Sequence, residues 1–319
     1  MKASSCVLMV AVAAAACSRP GARAELPFST NSAARTIRVG VVEAGQTTIR
    51  RVPLEEYVEA TVLSEFAPAA GDPGVVERML EVQSVISRTY ALAHLSRHGG
   101  AGFDLCATTH CQLFQPSRLQ SSRWAPQAAV AVRRTARSVL WYDHGPARAL
   151  FHADCGGHTS NAVDVWGGAA RPYLIGRADD GPADDVHSAW KFEAPKTAVL
   201  RALNGDARTR IGARLDAIDV LDRDQAGRAE RIALRGAQDR EVRGEALRDV
   251  LGQAFGARAI KSTWFDVRAE RTQFVFEGRG FGHGVGLCQA GALARIRAGV
   301  KPAAILQRYF PGTRLVAMR

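Results

Sequence analysis

Leu54, Tyr57, Val58, Thr61, Val62 and Glu65 follow a three-four spacing from Leu54 to Phe66, mostly apolar, which predicts a helix. Glu65 falls at the apolar stripe, whereas Glu55, Glu56 and Glu59 fall where water reaches. A second helix is predicted over Pro73 to His98. Asp72 caps it, Pro73 suits its first turn, Val76, Met79, Leu80, Gln83, Ile86, Tyr90 and Ala93 share one face, and Gly99-Gly100 stops it. Short β-branched or alternating runs predict strands at Ile37 to Val42, Thr48 to Val52, Val139 to Tyr142, Ala149 to His152, Ala217 to Val220, Arg231 to Leu234 and Gln273 to Glu277. Ala290 to Ala298 reads as a helix ended by Gly299. Phe192 to Lys261 alternates charged and apolar positions without a cluster of reactive side chains, and reads as helix, two strands and helix.

Three segments between these elements gather reactive side chains. They are Asp104-Leu105-Cys106-Ala107-Thr108-Thr109-His110-Cys111-Gln112, Phe151-His152-Ala153-Asp154-Cys155-Gly156-Gly157-His158-Thr159, and Phe281-Gly282-His283-Gly284-Val285-Gly286-Leu287-Cys288-Gln289-Ala290-Gly291-Ala292. The glycines of the last permit positive φ and close approach of the backbone to a neighbour, and the turn would deliver its amides at a helix N-terminus. Three clusters of one character suggest a shared pocket. Glu65, set against an apolar face, should hold its proton toward neutrality, as a general acid must; the alternative is a helix-end Glu paired with an Arg.

Composition narrows the partners. The chain carries a formal charge of +11, with lysine only at Lys2, Lys191, Lys196, Lys261 and Lys301, so the basic character is arginine. Such a field favours an anionic partner. The arginines are scattered, with neither a compact basic arm nor an aromatic-rich RNA motif, which argues against nucleic acid. A hydrophobic fraction of 47% over 319 residues suffices for one large or two modest domains.

Together with Val52-Pro53-Leu54-Glu55-Glu56-Tyr57-Val58, Ser64-Glu65, Ser87-Arg88-Thr89-Tyr90-Ala91, Trp166, Pro172-Tyr173-Leu174 and Tyr309-Phe310-Pro311-Gly312-Thr313, the three clusters resemble, in order, the stage II sporulation protein D family, which includes the LytB-type amidase enhancers. The resemblance implies an α+β fold with a mixed sheet, in one domain spanning 36–317 with 192–262 as an internal excursion. It implies a lytic transglycosylase acting on the β-1,4 bond between N-acetylmuramic acid and N-acetylglucosamine in peptidoglycan, with Glu65 as catalytic acid. Arg88, Gln112, His152, Gly156, Gly157, Thr159, His283, Gly284 and Gln289 are the substrate-binding candidates. Phe66-Ala67-Pro68 departs from the family's usual Met-Pro after the glutamate.

Met1-Lys2 and the apolar stretch Cys6 to Ala16 read as an export signal over 1–17, too short to span a bilayer. Ala14-Ala15-Ala16-Cys17 resembles a lipoprotein cleavage box, making Cys17 the candidate for lipidation, with cleavage after an alanine as the alternative. Residues 18–35 read as a tether. An exported, periplasmic, cell-envelope or lipid-anchored protein follows, touching membrane only through that anchor. Export leaves Cys106, Cys111, Cys155 and Cys288 in an oxidising compartment. Cys155 and Cys288 stand where the family has Ser, and the favoured pairings are Cys106 with Cys111 and Cys155 with Cys288, with no cofactor. The competing reading is zinc on Cys106 and Cys111 with His98 or His110, since some relatives hold zinc near this segment. Two other function classes stand beside the transglycosylase. One is a non-catalytic wall-binding enhancer of an amidase. The other is a thiol hydrolase using Cys288 or Cys155 with His283 or His152.

Overall fold

The structure, a computed structural model, describes residues 35–179 and 189–318. The expected export signal, the lipidation candidate Cys17 and the expected tether as far as residue 34 lie outside them. No helix among the described residues is long and apolar enough to cross a membrane. The architecture is α+β, assembled from small sheets and packed helices.

Thr36–Glu43 and Gln46–Pro53 form an antiparallel hairpin, with Ile37 opposite Val52, closed by Ala44 and Gly45 at positive φ. Leu105–Cys106 adds in parallel to the first strand, placing Leu105 beside Val39. Helix Leu54–Glu65 follows directly from the hairpin and buries Tyr57, Val58, Val62 and Leu63. Behind it lies helix Pro73–Ala93, capped as expected by Asp72, whose carboxylate accepts the Val75 N–H at 2.9 Å. This helix stops at Ala93, short of the predicted His98. Asp104 accepts the Ser96 N–H at 3.1 Å and the Arg38 N–H at 2.9 Å, drawing the chain out of the helix, and His98 pairs with Phe103 instead. His94 and His98 therefore do not share a helical face.

Helix Ala125–Arg134 packs on Pro73–Ala93. Strand Ser138–Tyr142 pairs with the C-terminal strand Arg314–Ala317, Val139 opposite Val316. Strand Phe151–His152, shorter than predicted, runs parallel to Leu287–Cys288 and sets His152 beside Cys288. That pairing brings two of the three clusters together across the chain. Helix Gln289–Arg297 follows immediately, ending before Gly299 at positive φ as its sequence suggests.

The segment read as helix, two strands and helix is richer. Strand Trp190–Pro195 and helix Lys196–Asn204 precede three antiparallel strands, Leu215–Arg223, Ala229–Gly236 and Arg240–Arg243, and then helix Gly244–Phe255. Arg240–Arg243 escapes a sequence reading because Val242 is its one buried residue. Strands Phe265–Ala269 and Gln273–Gly278 pair with each other and with Trp190–Pro195.

Three apolar clusters result. The first joins the hairpin to Tyr57, Leu63, Leu105 and Phe114; the second joins Met79, Val82 and Ile86 to Val285, Leu287, Ile296 and Phe310; the third gathers Trp190, Leu203, Ile232, Leu247, Phe265, Phe274 and Phe276. Each buried Leu, Ile or Phe contributes about 1.5–3 kcal/mol by leaving water. Phe66, the residue after Glu65, packs against both the first and second clusters, so Glu65 sits at their seam.

Candidate functional site

Glu65 is the last residue of its helix. Phe66 turns extended at φ −144°, its N–H still bonded to Val62 O. The side chain is half-buried, and one Oε accepts the Leu113 N–H at 2.6 Å. Burial pushes the carboxyl up to about 7, against the opposing pull of that amide. The negative end of the helix dipole acts in the same direction as burial. Near neutrality the group is thus divided between acid and carboxylate, so it can both give and take a proton. No Arg pairs with it in the hydrogen bonds and ion pairs described, which disfavours the bland reading of a helix-end ion pair.

Gln289 closes the site from the far end of the chain. Its Nε2 donates to Glu65 O at 3.3 Å and to Gln83 Oε1 at 3.1 Å. Gln83 is buried and its Nε2 lies 3.4 Å from Ser87 Oγ. The sequence places Gln83 on the apolar face of its helix and assigns it no role. A glutamine on such a stripe was the available signal. Leu113 gave no signal, since its contribution is a backbone N–H.

Other candidates take structural places. Arg88 is fully buried: Nε and Nη2 donate to the two oxygens of Glu55 at 2.9 and 2.5 Å, and Nη1 donates to Ser138 O at 3.1 Å. It ties both N-terminal helices to a strand, which corrects its reading as a substrate ligand; Glu55, 32% exposed, keeps water access while pairing with it. Gln112 is buried as well, accepting from the Tyr57 hydroxyl at 3.1 Å, behind the stacked Tyr57 and Phe114 rings. Thr159 is buried, and its Oγ1 accepts the Arg177 N–H at 3.0 Å. None of the three side chains is open to a glycan.

His283 accepts the Val285 N–H on Nδ1 at 3.0 Å, and its ring lies between those of Trp166 and His152, with centroids at 5.0 and 5.5 Å. Burial, then the nearby Arg248 and Arg228, lower its pKa to about 3, so it is neutral near neutrality. His152 is buried with Nδ1 3.2 Å from Val285 O, and burial likewise holds it neutral.

The glycines serve the protein's own packing. A methyl group at Gly284 would lie 2.3 Å from Arg228 Nε, at Gly286 2.2 Å from Leu150 O, and at Gly282 2.7 Å from His152 Cβ. Gly156 faces Arg279 at 3.1 Å; Gly157 alone of the binding candidates meets nothing within 4 Å among the described residues. The expectation that these glycines admit a sugar is corrected accordingly at Gly156 and Gly284. Arg228 fills the turn, donating to Cys155 O at 2.8 Å and Gly282 O at 3.2 Å.

All four described cysteines are free thiols, so neither expected bridge is formed. Their sulfurs are engaged otherwise. Cys288 Sγ accepts the N–H groups of Cys155 and Gly291, each at 3.3 Å, as the N-cap of helix Gln289–Arg297. Cys155 and Cys288 are 3% and 1% exposed, which closes them to substrate and removes the thiol-hydrolase reading. Near the surface, His98, Cys106, His110 and Cys111 hold four ligand atoms within 4.8 Å of one another. His98 Nε2 lies 3.3 Å from Cys111 Sγ, and His110 Nδ1 lies 3.6 Å from Cys106 Sγ and 3.7 Å from Cys111 Sγ. Tetrahedral zinc with bonds of about 2.0–2.3 Å has edges of roughly 3.3–3.8 Å, so this donor set fits the ion. The sequence had offered His98 and His110 as alternatives; the fold supplies both.

A sequence model described as Stage II sporulation protein matches residues 42–142. Stage II sporulation protein D of Bacillus subtilis is 24% identical over 297 residues, covering 88% of this chain and 80% of the relative. Residues 42–142 thus match the stage II sporulation protein model, and most of the chain is similar to stage II sporulation protein D. The protein of that name from Bacillus amyloliquefaciens is 25% identical over 289 residues, covering 86% and 78%. A Bacillus subtilis protein named amidase enhancer is 25% identical over 282 residues, 75% of this chain but 38% of the relative. A second model, a domain of unknown function, matches residues 184–286, a stretch that holds the third apolar cluster. The stage II sporulation match spans Glu65, Gln83, the four-ligand Cys/His group and Leu113, while Gln289 lies beyond it.

Proposed function

We propose that this chain is an exported lytic transglycosylase of peptidoglycan, of the stage II sporulation protein D family, with Glu65 as its catalytic acid and base. The observation that carries the proposal is the half-buried Glu65 carboxyl, pushed up to about 7 and restrained by the Leu113 amide. Protonated Glu65 donates to the glycosidic oxygen between N-acetylmuramic acid and N-acetylglucosamine as the C1–O bond breaks and an oxocarbenium-like state develops. The resulting carboxylate removes the proton of the muramoyl C6 hydroxyl, whose oxygen attacks C1 and closes a 1,6-anhydro ring. Water is not consumed, so one carboxyl suffices. A single group that must act in both protonation states works best with a pKa near the working pH.

Zinc at His98, Cys106, His110 and Cys111 would be structural, because four protein donors leave no open position for chemistry. It would fix the loop that runs on to Leu113.

A second reading, an amidase-enhancing wall-binding module without turnover, is supported by the relative named amidase enhancer. Mass spectrometry of soluble products from intact and peptide-stripped peptidoglycan separates the two. Anhydro-muramoyl fragments from the wild type, absent with Glu65→Gln, are expected. Sedimentation onto the wall without products from either protein would favour the enhancer.

A further inference from the structure

A second group of soft donors lies away from the surface cluster. A ring nitrogen of His152 and the sulfurs of Cys155 and Cys288 lie within 4.8 Å of one another, and all three residues are buried. Three atoms so placed can share a centre no more than about 2.8 Å from each, against zinc bonds of about 2.0–2.3 Å. Shifts of roughly half an ångström would close the site.

The surroundings are those of a metal site. His152 Nδ1 lies 3.2 Å from Val285 O, so a proton on that nitrogen is satisfied by a carbonyl and the lone pair falls on Nε2. Metal-bound histidines are oriented by such a bond on the nitrogen that does not ligate. Nε2 is buried and has no hydrogen-bond partner among the described residues, an uncompensated loss for a polar atom. Both sulfurs accept amides: Cys288 from Cys155 and Gly291, and Cys155 from Gly157 at 3.4 Å. Amide donors of this kind favour the thiolate, but in the metal-free site the adjoining Cys155 sulfur, then burial, push the Cys288 thiol up, so proton release would accompany metal binding. Asp179 Oδ2, 3.7 Å from Cys155 Sγ, is the nearest carboxylate to a fourth position, itself held by the Tyr309 hydroxyl and by an ion pair from Arg295 to Oδ1, each at 2.5 Å.

We infer that His152, Cys155 and Cys288 form a second, buried site for a thiolate-preferring d10 cation, zinc(II), filled as the chain folds. The ion would bind as both thiols release their protons, with no change of oxidation state. It would clamp strand Phe151–His152 to Leu287–Cys288, one residue before Gln289. Unlike a disulfide, it needs no oxidant.

The test uses the full mature chain folded in reductant with zinc. Cys106→Ser/Cys111→Ser removes the surface cluster and leaves the buried one. That variant is expected to retain about one zinc per chain after exhaustive dialysis, by elemental analysis. Refolded with cobalt(II), it should show a thiolate-to-cobalt absorption band. Adding Cys155→Ser/Cys288→Ser should abolish both, while circular dichroism reports whether the chain still folds. A folded Cys106→Ser/Cys111→Ser protein without metal would overturn the inference, and so would one whose two remaining thiols resist alkylation after denaturation until a reductant is added. These readouts do not depend on catalysis, so failure of the transglycosylase reading leaves them standing.

Discussion

Glu65 and the glycine turn around His283 reached the same seam of the molecule from opposite directions in the sequence. The turn announces itself, with Gly282, His283, Gly284, Gly286, Cys288 and Gln289 packed into eight positions, yet its side chains face inward. Arg228, Leu150 O and His152 occupy the space the glycines leave, and His283 is neutral with Nδ1 committed to the Val285 amide. Glu65 is a single carboxylate at the end of an ordinary helix. It alone of the two has a proton to give near neutrality. Glycine-rich density therefore marked a place where backbones must meet closely, and the carboxyl proposed as the acid stood on a neighbouring helix, whose last carbonyl Gln289 holds. Gln289 is the link, reaching from the turn to Glu65 O and Gln83.

The comparison breaks first at Glu65. Glu65→Gln should lower glycan cleavage by about 10²–10⁴-fold, the usual worth of a general acid, measured as anhydro-product release. The same substitution should stabilise the fold at alkaline pH. A carboxyl raised from 4.5 to about 7 binds more protons folded than unfolded between those values, so its ionisation costs the wild type stability as pH climbs through that window. The expected gain is on the order of 1–3 kcal/mol at pH 8, vanishing near pH 4, by chemical denaturation at both pH values.

Next comes the inward-facing machinery. Arg88→Met leaves Glu55 without its partner and should cost about 3–5 kcal/mol of stability, while KM for glycan in the remaining folded protein stays unchanged. Gly286→Ala must seat a methyl 2.2 Å from Leu150 O at φ +74°, a strain expected to cost about 1–3 kcal/mol or force a backbone shift, visible as a lower denaturation midpoint. The smallest effect belongs to His283. Its Nδ1 acceptor can be kept by His283→Asn, which should cost about 1 kcal/mol and leave the shape of the activity–pH profile unchanged. A shifted limb in that profile would return His283 to the chemistry.

What could be read in advance follows the range of the forces involved. Helix Leu54–Glu65 and the Asp72–Pro73 start of the next helix depend on neighbours in sequence, and both stood out. So did Glu65 on its stripe. The end of the long helix at Ala93 depends on Asp104 receiving the Ser96 amide, a contact no local pattern encodes. Arg88 stood among the binding candidates through the family resemblance alone; its match is Glu55, thirty-three residues earlier and outside any local pattern. The Cys106–Cys111 spacing was too loose for a zinc knuckle until the His98–Phe103 pairing folded His98 back over it.

The most direct test of Glu65 as the poised group is its own titration, followed by carbon-detected NMR on glutamate-labelled protein with Glu65→Gln identifying the resonance. The account predicts a carboxyl step near pH 7. A step in the ordinary glutamate range near 4.5 would contradict it, because a carboxylate fully ionised at neutrality cannot start the reaction assigned to it.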